Sequence, residues 1–160
     1  MDFIKKFSEL TMKDVNFAGG KGASLGELIR NNISVPDGFV ILSTSFDTFM
    51  EENDLSIKIS NLLSDLSSSD SSKLEKVSTE IKKLILRGNI SEKLEKEILS
   101  NYKTLNSEFV AVRSSATAED GSENAWAGQL DTFLNTTKDN LMINIKNCWS
   151  SLFTPCLLYT

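Results

Sequence analysis

The stretch VAVRSSATAED, residues 110–120, constrains this chain more than any other. Val110-Ala111-Val112 continues the apolar run from Phe109 and reads as a strand. The apolar pattern then stops at Arg113. Ser114-Ser115-Ala116-Thr117-Ala118 strips away nearly all side-chain bulk before Glu119 and Asp120. On a strand, Phe109, Ala111 and Arg113 share one face and Val110 and Val112 the other. The arginine therefore stands at the outer end of an apolar row. Sheets with crossover helices bind ligands at the carboxyl ends of their strands. A guanidinium there is always charged and can grip a phosphate with two hydrogen bonds. Small neighbours keep the backbone accessible, and Ser114, Ser115 and Thr117 add donors. The stretch reads as a phosphate-contacting strand end. A plainer reading stays open, in which Arg113 pairs with Glu119 or Asp120 and pins a loop.

A second loop has related chemistry. In AGGKGASLGELIRNN, residues 18–32, Gly19, Gly20 and Gly22 surround Lys21. Glycines let backbone amides approach an anion, and the helix that follows adds its positive end. Lysine adds a mobile charge. The spacing is neither GxxxxGK[ST] nor GxGxxG. Taken alone, the loop reads rather as a flexible helix entry with a surface lysine. A third element, Trp126-Ala127-Gly128-Gln129, leads into the strand pattern QLDTFLN. There Leu130, Thr132 and Leu134 share one face and Asp131 and Phe133 the other. Gly128 suggests a close backbone approach. Trp126 is core, lid or a stacking surface for a base. Together the three elements suggest a nucleoside triphosphate held between two layers.

The rest of the chain supplies scaffold. Ala23, Leu25, Leu28 and Ile29 form a helical stripe that Asn31 and Asn32 end. Val35-Pro36-Asp37-Gly38 is a turn by its chemistry. Phe39–Leu42 reads as a short buried strand, followed by a helix capped by Ser43 or Thr44 and running to about Glu52. Residues 54–105 read as a helical insert. One stripe is Leu55, Ile59, Leu62, Leu63 and Leu66; the polar hinge SSSDSS follows. Leu74, Val77, Ile81, Leu84 and Ile85 make a second stripe, broken at Arg87-Gly88-Asn89. Ser91 caps a third helix with Leu94, Ile98 and Leu99 inward. Thr137 caps a last helix to about Leu152, with Leu141, Ile145 and Trp149 on one face. The fold class is α+β.

Composition removes several functions. The 160 residues carry a net charge of −5, which argues against a nucleic-acid or anionic-membrane surface. No apolar run approaches the ~18 residues of a membrane span, and the amino-terminal residues MDFIKKFSEL lack a secretion signal's apolar region. There is no histidine, so no histidine base, metal ligand or phosphohistidine lies in these residues. Cys148 and Cys156 form no CxxC and read as reduced thiols of a cytoplasmic protein.

The set GGKGASLGEL (19–28), VPDGFVI (35–41), VAVRSSATAED (110–120), WAGQLDTFLN (126–135) and CWSSLFTP (148–155) resembles the nucleotide-binding amino-terminal domain of the phosphoenolpyruvate synthase and pyruvate, phosphate dikinase family. The resemblance runs from about residue 5 to 155. Rifampicin phosphotransferases share this domain, so the motifs do not choose among members. The resemblance implies the amino-terminal part of an ATP-grasp fold, with ATP and magnesium between two α+β lobes. It implies transfer of phosphate from ATP to a histidine on a separate swivelling domain. The acceptor is then pyruvate in the reaction ATP + pyruvate + water → phosphoenolpyruvate + AMP + phosphate, or inorganic phosphate in a dikinase, or an antibiotic hydroxyl. Carried over by motif, Lys21 and Arg113 contact ATP phosphates, and Gly128 and Thr132 line the nucleotide site. No catalytic or metal-ligating residue is implied within these residues; the magnesium ligands, the pyruvate site and the histidine domain belong to later parts of such a protein. A reading of another class is a non-catalytic nucleotide-binding module.

The final residues are read separately. TGT-CTC-TTA-TAC-ACA encodes Cys156-Leu157-Leu158-Tyr159-Thr160 and matches the mosaic end of transposase-based sequencing adapters. The expectation is a partial nucleotide-binding domain over 1–155 and a translated adapter over 156–160.

Overall fold

The helical and strand signals resolve into a mixed α+β chain with two small antiparallel sheets. The computed structural model describes residues 2–64, 71–115 and 131–159. In chain order the elements are β1 (Ile4–Lys6), α1 (Val15–Arg30), β2 (Phe39–Ile41), α2 (Ser43–Glu52), α3 (Leu55–Ser64), α4 (Ser71–Arg87), α5 (Glu92–Thr104), β3 (Val110–Arg113), β4 (Thr132–Thr136), α6 (Leu141–Ser151) and α7 (Pro155–Tyr159). The chain forms two compact units. One comprises Met1–Asp47, Ser91–Glu108 and Ser115–Ala125; the other comprises Thr48–Ile90, Phe109–Ser114 and Trp126–Thr160.

In the first unit, β1 pairs antiparallel with β2, Ile4 opposite Ile41 and Lys6 opposite Phe39. A single turn of 3-10 helix over Met12–Asp14 leads into α1. The Asp14 carboxylate accepts from the Thr11 amide at 2.7 Å and the Thr11 hydroxyl at 2.8 Å. These bonds, the hydroxyl's first and with help from Lys5, hold the Asp14 carboxyl below its ordinary 3.8 although partial desolvation opposes them. The stabilisation is therefore present above pH 3.8 and is lost as pH falls through the lower folded value.

The stripe expected on α1 is only partly the buried one. Its buried residues are Ala18, Gly19, Gly20, Gly22, Ala23 and Gly26, whereas Leu28 is 37% exposed. Small residues bury because neighbouring backbone comes very close: a Cβ on Gly26 would lie 2.7 Å from the Leu10 carbonyl carbon. Leu10, Ala18 and Leu42 form a buried cluster, with Phe7, Phe17 and Val40 packed against it. Asn31 ends the helix and Asn32 turns to φ 58°, as their side chains suggest. No turn forms over residues 35–38; the Gly38 carbonyl instead accepts from the Phe7 amide at 3.1 Å. β2 is half-buried rather than buried. Ser43 is the first residue of α2, and the buried Ser45 donates its hydroxyl to the Phe3 carbonyl at 2.7 Å.

Leu55–Ser64, Ser71–Arg87 and Glu92–Thr104 are helices, but they do not form one insert. α5 belongs to the first unit, while α3 and α4 belong to the second. Periodicity reports that a helix has an apolar face, not which body that face packs on. On α5, Ser91 takes the cap position, and Leu94, Ile98 and Tyr102 are buried. Leu99 is half-buried. The Tyr102 hydroxyl donates to the Glu108 carbonyl at 3.0 Å.

In the second unit, Leu55 and Ile59 of α3 and Val77, Ile81 and Ile85 of α4 are buried as their spacing predicts. α4 packs on α3, α6 and α7. Phe49, fully buried, meets the Trp149 ring at 4.9 Å between centroids. Lys146 donates to the carbonyls of Leu86 (2.7 Å) and Gly88 (3.1 Å) at the end of α4, where a cation also suits the helix dipole. The cap of α6 differs from expectation. Asn140, not Thr137, takes the cap position, and its side chain accepts from the Thr137 amide at 2.7 Å. Both residue types favour caps, and the intervening turn over 138–140 decides between them. Leu157 on α7 is buried.

Candidate functional site

Lys21, Arg113 and Thr132 each have a definite local setting. Lys21 lies in the first unit, on α1 just after a kink. Gly19 has φ 71° and ψ 166°, so Val15–Ala18 and Gly20–Arg30 are two helical pieces joined at that residue. Only glycine visits this backbone region at low cost. The expected flexible loop is thus a single sharp kink, and Lys21 is in the first turn of the helix that follows it.

The kink is held from far along the chain. The Ser115 hydroxyl donates to the Ala18 carbonyl at 3.0 Å and accepts from the Gly22 amide at 3.1 Å. A Cβ on Gly19 would collide with the Ser115 carbonyl and hydroxyl oxygens. The sequence suggests Ser115 as a ligand donor; in the structure its hydroxyl bridges the two sides of the kink.

Arg113 and Thr132 lie in the second unit. They are register partners, the last residue of β3 opposite the first of β4. Both are exposed, and side chains of directly opposed residues stand about 5 Å apart on one face. That face also carries Ala111 and Leu134, the latter 68% exposed, while Val112 and Phe133 point the other way, half-buried. Phe109 is 51% exposed, so the apolar row below the arginine is an outer row. The faces alternate as expected, apart from an irregularity between Val110 and Val112. At the other end of β4, Asn135 at φ 51° interrupts the alternation and Thr136 is fully buried.

The strand end is tied off by Asp131, whose carbonyl accepts from the Ser114 amide and hydroxyl, each at 3.4 Å. The same carbonyl receives the Cys148 thiol at 3.8 Å. Burial, reinforced by the Asp131 charge, pushes that thiol up to about 12. Cys156 is exposed, and both cysteines are free. Since the thiolate is the nucleophile, iodoacetamide at pH 8 should leave Cys148 unlabelled in the native chain and label it after denaturation, as read by mass spectrometry.

The structure thus brings Arg113 and Thr132 together and places Lys21 in the other unit. Gly128, Trp126, Thr117, Glu119 and Asp120 lie outside the described residues. Among the described residues no three Cys, Asp or Glu side chains converge as a metal site would require, so no magnesium ligand set is assigned to them. No helix among them is long and apolar enough to cross a membrane.

A glycine-hinged helix start carrying a lysine, and a strand end carrying an arginine, are the parts from which phosphate sites are made. Comparison with known proteins gives the class. The model of the pyruvate phosphate dikinase AMP/ATP-binding domain matches residues 15–159, and the chain belongs to this family. Among its relatives is a probable phosphoenolpyruvate synthase of Methanothermobacter thermautotrophicus, 40% identical over 94% of this chain and 23% of that protein. The phosphoenolpyruvate synthase of Aquifex aeolicus is 40% identical over 91% of the chain and 18% of its own length. That of Escherichia coli is 36% identical over 92% and 20%. The chain spans about a fifth of the length of these curated relatives.

Proposed function

We propose that this chain is part of the ATP-binding domain of a phosphoenolpyruvate synthase-like phosphotransferase. Lys21 and Arg113 contact the ATP phosphates, and Gly128 and Thr132 line the nucleotide site. The observation that carries the proposal is the exposed Arg113 at the strand end, opposite Thr132. Phosphoryl transfer depends on positioned positive charge more than on covalent chemistry from the protein, and cations carried at element ends suit that need. The proposed domain is an ATP-grasp nucleotide-binding domain, present in part over 1–155, with 156–160 an adapter-derived tail. Magnesium would be held by carboxylates in later parts of such a protein. The phosphate acceptor, pyruvate, would bind on a further domain, with a phosphohistidine as carrier; this chain has no histidine to serve. The free thiol of Cys148 suits a cytoplasmic setting.

The relatives' names favour pyruvate over an antibiotic or inorganic phosphate as acceptor. The test is the product set of the longer protein that carries this chain, supplied with ATP and magnesium. Pyruvate-dependent formation of AMP, phosphate and phosphoenolpyruvate in equal amounts is expected. Formation of ADP, or ATP turnover indifferent to pyruvate, would overturn the reaction assigned.

A further inference from the structure

The kink in α1 and the serine that clasps it have no role in the phosphate contacts above, yet they meet at the lysine. Ala18 and Gly22, the two residues bonded by the Ser115 hydroxyl, bracket Lys21 in the sequence. Gly19, between them, holds a conformation that L side chains rarely adopt. The Gly22 amide is one of the first N–H groups of the helical piece Gly20–Arg30, which no intrahelical carbonyl can satisfy. The Ala18 carbonyl ends the piece before the kink. One hydroxyl therefore joins the last group of one helical piece to the first of the next. It does so by donating to one and accepting from the other, as only a hydroxyl can with a single atom.

We infer that Ser115 is a positioning residue for Lys21: its hydroxyl fixes the kinked backbone from which the lysine extends. The inference rests on the reading that Lys21 contacts ATP phosphate. Without the hydroxyl, the two helical pieces lose the bond that sets their angle. The Gly22 amide and Ala18 carbonyl must then find other partners, and the lysine's Cα is no longer held in one place. Ser115 follows Arg113 by two residues, so the segment that supplies one phosphate contact also supplies the brace for the other.

The test uses the full-length protein and steady-state kinetics of AMP formation. Ser115→Ala should raise the KM for ATP about tenfold, leave the KM for pyruvate unchanged, and shift the Tm by only a few degrees. Ser115→Thr keeps the hydroxyl and should return the ATP KM to within about twofold of wild type. In a Lys21→Ala background, Ser115→Ala should add less than about twofold, because the brace then has nothing to position. An unchanged ATP KM in Ser115→Ala overturns the inference. So does the same fold-increase with and without Lys21, or a failure of Ser115→Thr to restore the KM. Lys21→Ala tests the underlying reading separately: if it leaves the ATP KM at the wild-type value, the phosphate assignment itself falls.

Discussion

Replacing Arg113 by alanine is expected to cut ATP-dependent turnover of the full-length protein at least ~10³-fold, the range seen when an arginine that stabilises a transferring phosphoryl group is lost. The same substitution should leave the fold intact. Arg113 is exposed at the end of β3, so truncation opens no cavity, and surface changes of this kind alter stability by about 0.5 kcal/mol or less. Arg113→Lys should recover only part of the activity, because a point charge cannot reproduce the two-pronged grip of a guanidinium. Kinetics with a parallel thermal melt checks all of this. Wild-type turnover in the alanine variant would remove Arg113 from the site. An inactive variant with a collapsed Tm would make it a structural residue instead.

Gly19→Ala should be the most damaging single methyl on the first unit. Two costs add. The backbone at φ 71°, ψ 166° carries about 1–3 kcal/mol of strain for a residue with a Cβ. The new methyl also runs into the Ser115 carbonyl and hydroxyl, and overpacking costs about 1–3 kcal/mol more. The total, roughly 2–6 kcal/mol, is a large share of the stability of an ordinary domain. Chemical denaturation measures it directly. A loss below about 1 kcal/mol would mean that the kink is not needed for folding, and the clasp at Ser115 would lose its structural basis as well.

The two substitutions also mark what the sequence reveals and what it hides. Arg113 is legible because alternation is local: a strand pattern that ends on a cation followed by small residues has few interpretations. The apolar faces of α3, α4 and α6 are legible for the same reason. The kink at Gly19 is not. GGKG allows any of three glycines to take positive φ, and the choice is made by Ser115, 93 residues from its partner Gly22. Contacts at that separation leave no trace in a local pattern. The buried face of α1 is hidden differently. Glycine and alanine carry little hydrophobic signal, yet close backbone approach at Leu10 buries them and leaves Leu28 partly outside. The division of residues 54–105 between two units is likewise set by tertiary packing.

The most direct test of the phosphate assignment is the affinity of the full-length protein for adenosine, AMP and ATP, measured by calorimetry on the wild type and on Lys21→Ala and Arg113→Ala. If these residues hold the terminal phosphates, both substitutions leave adenosine binding unchanged, and the loss of affinity grows with the number of phosphates and is largest for ATP. Equal losses for adenosine and ATP, or none for either, would contradict the account.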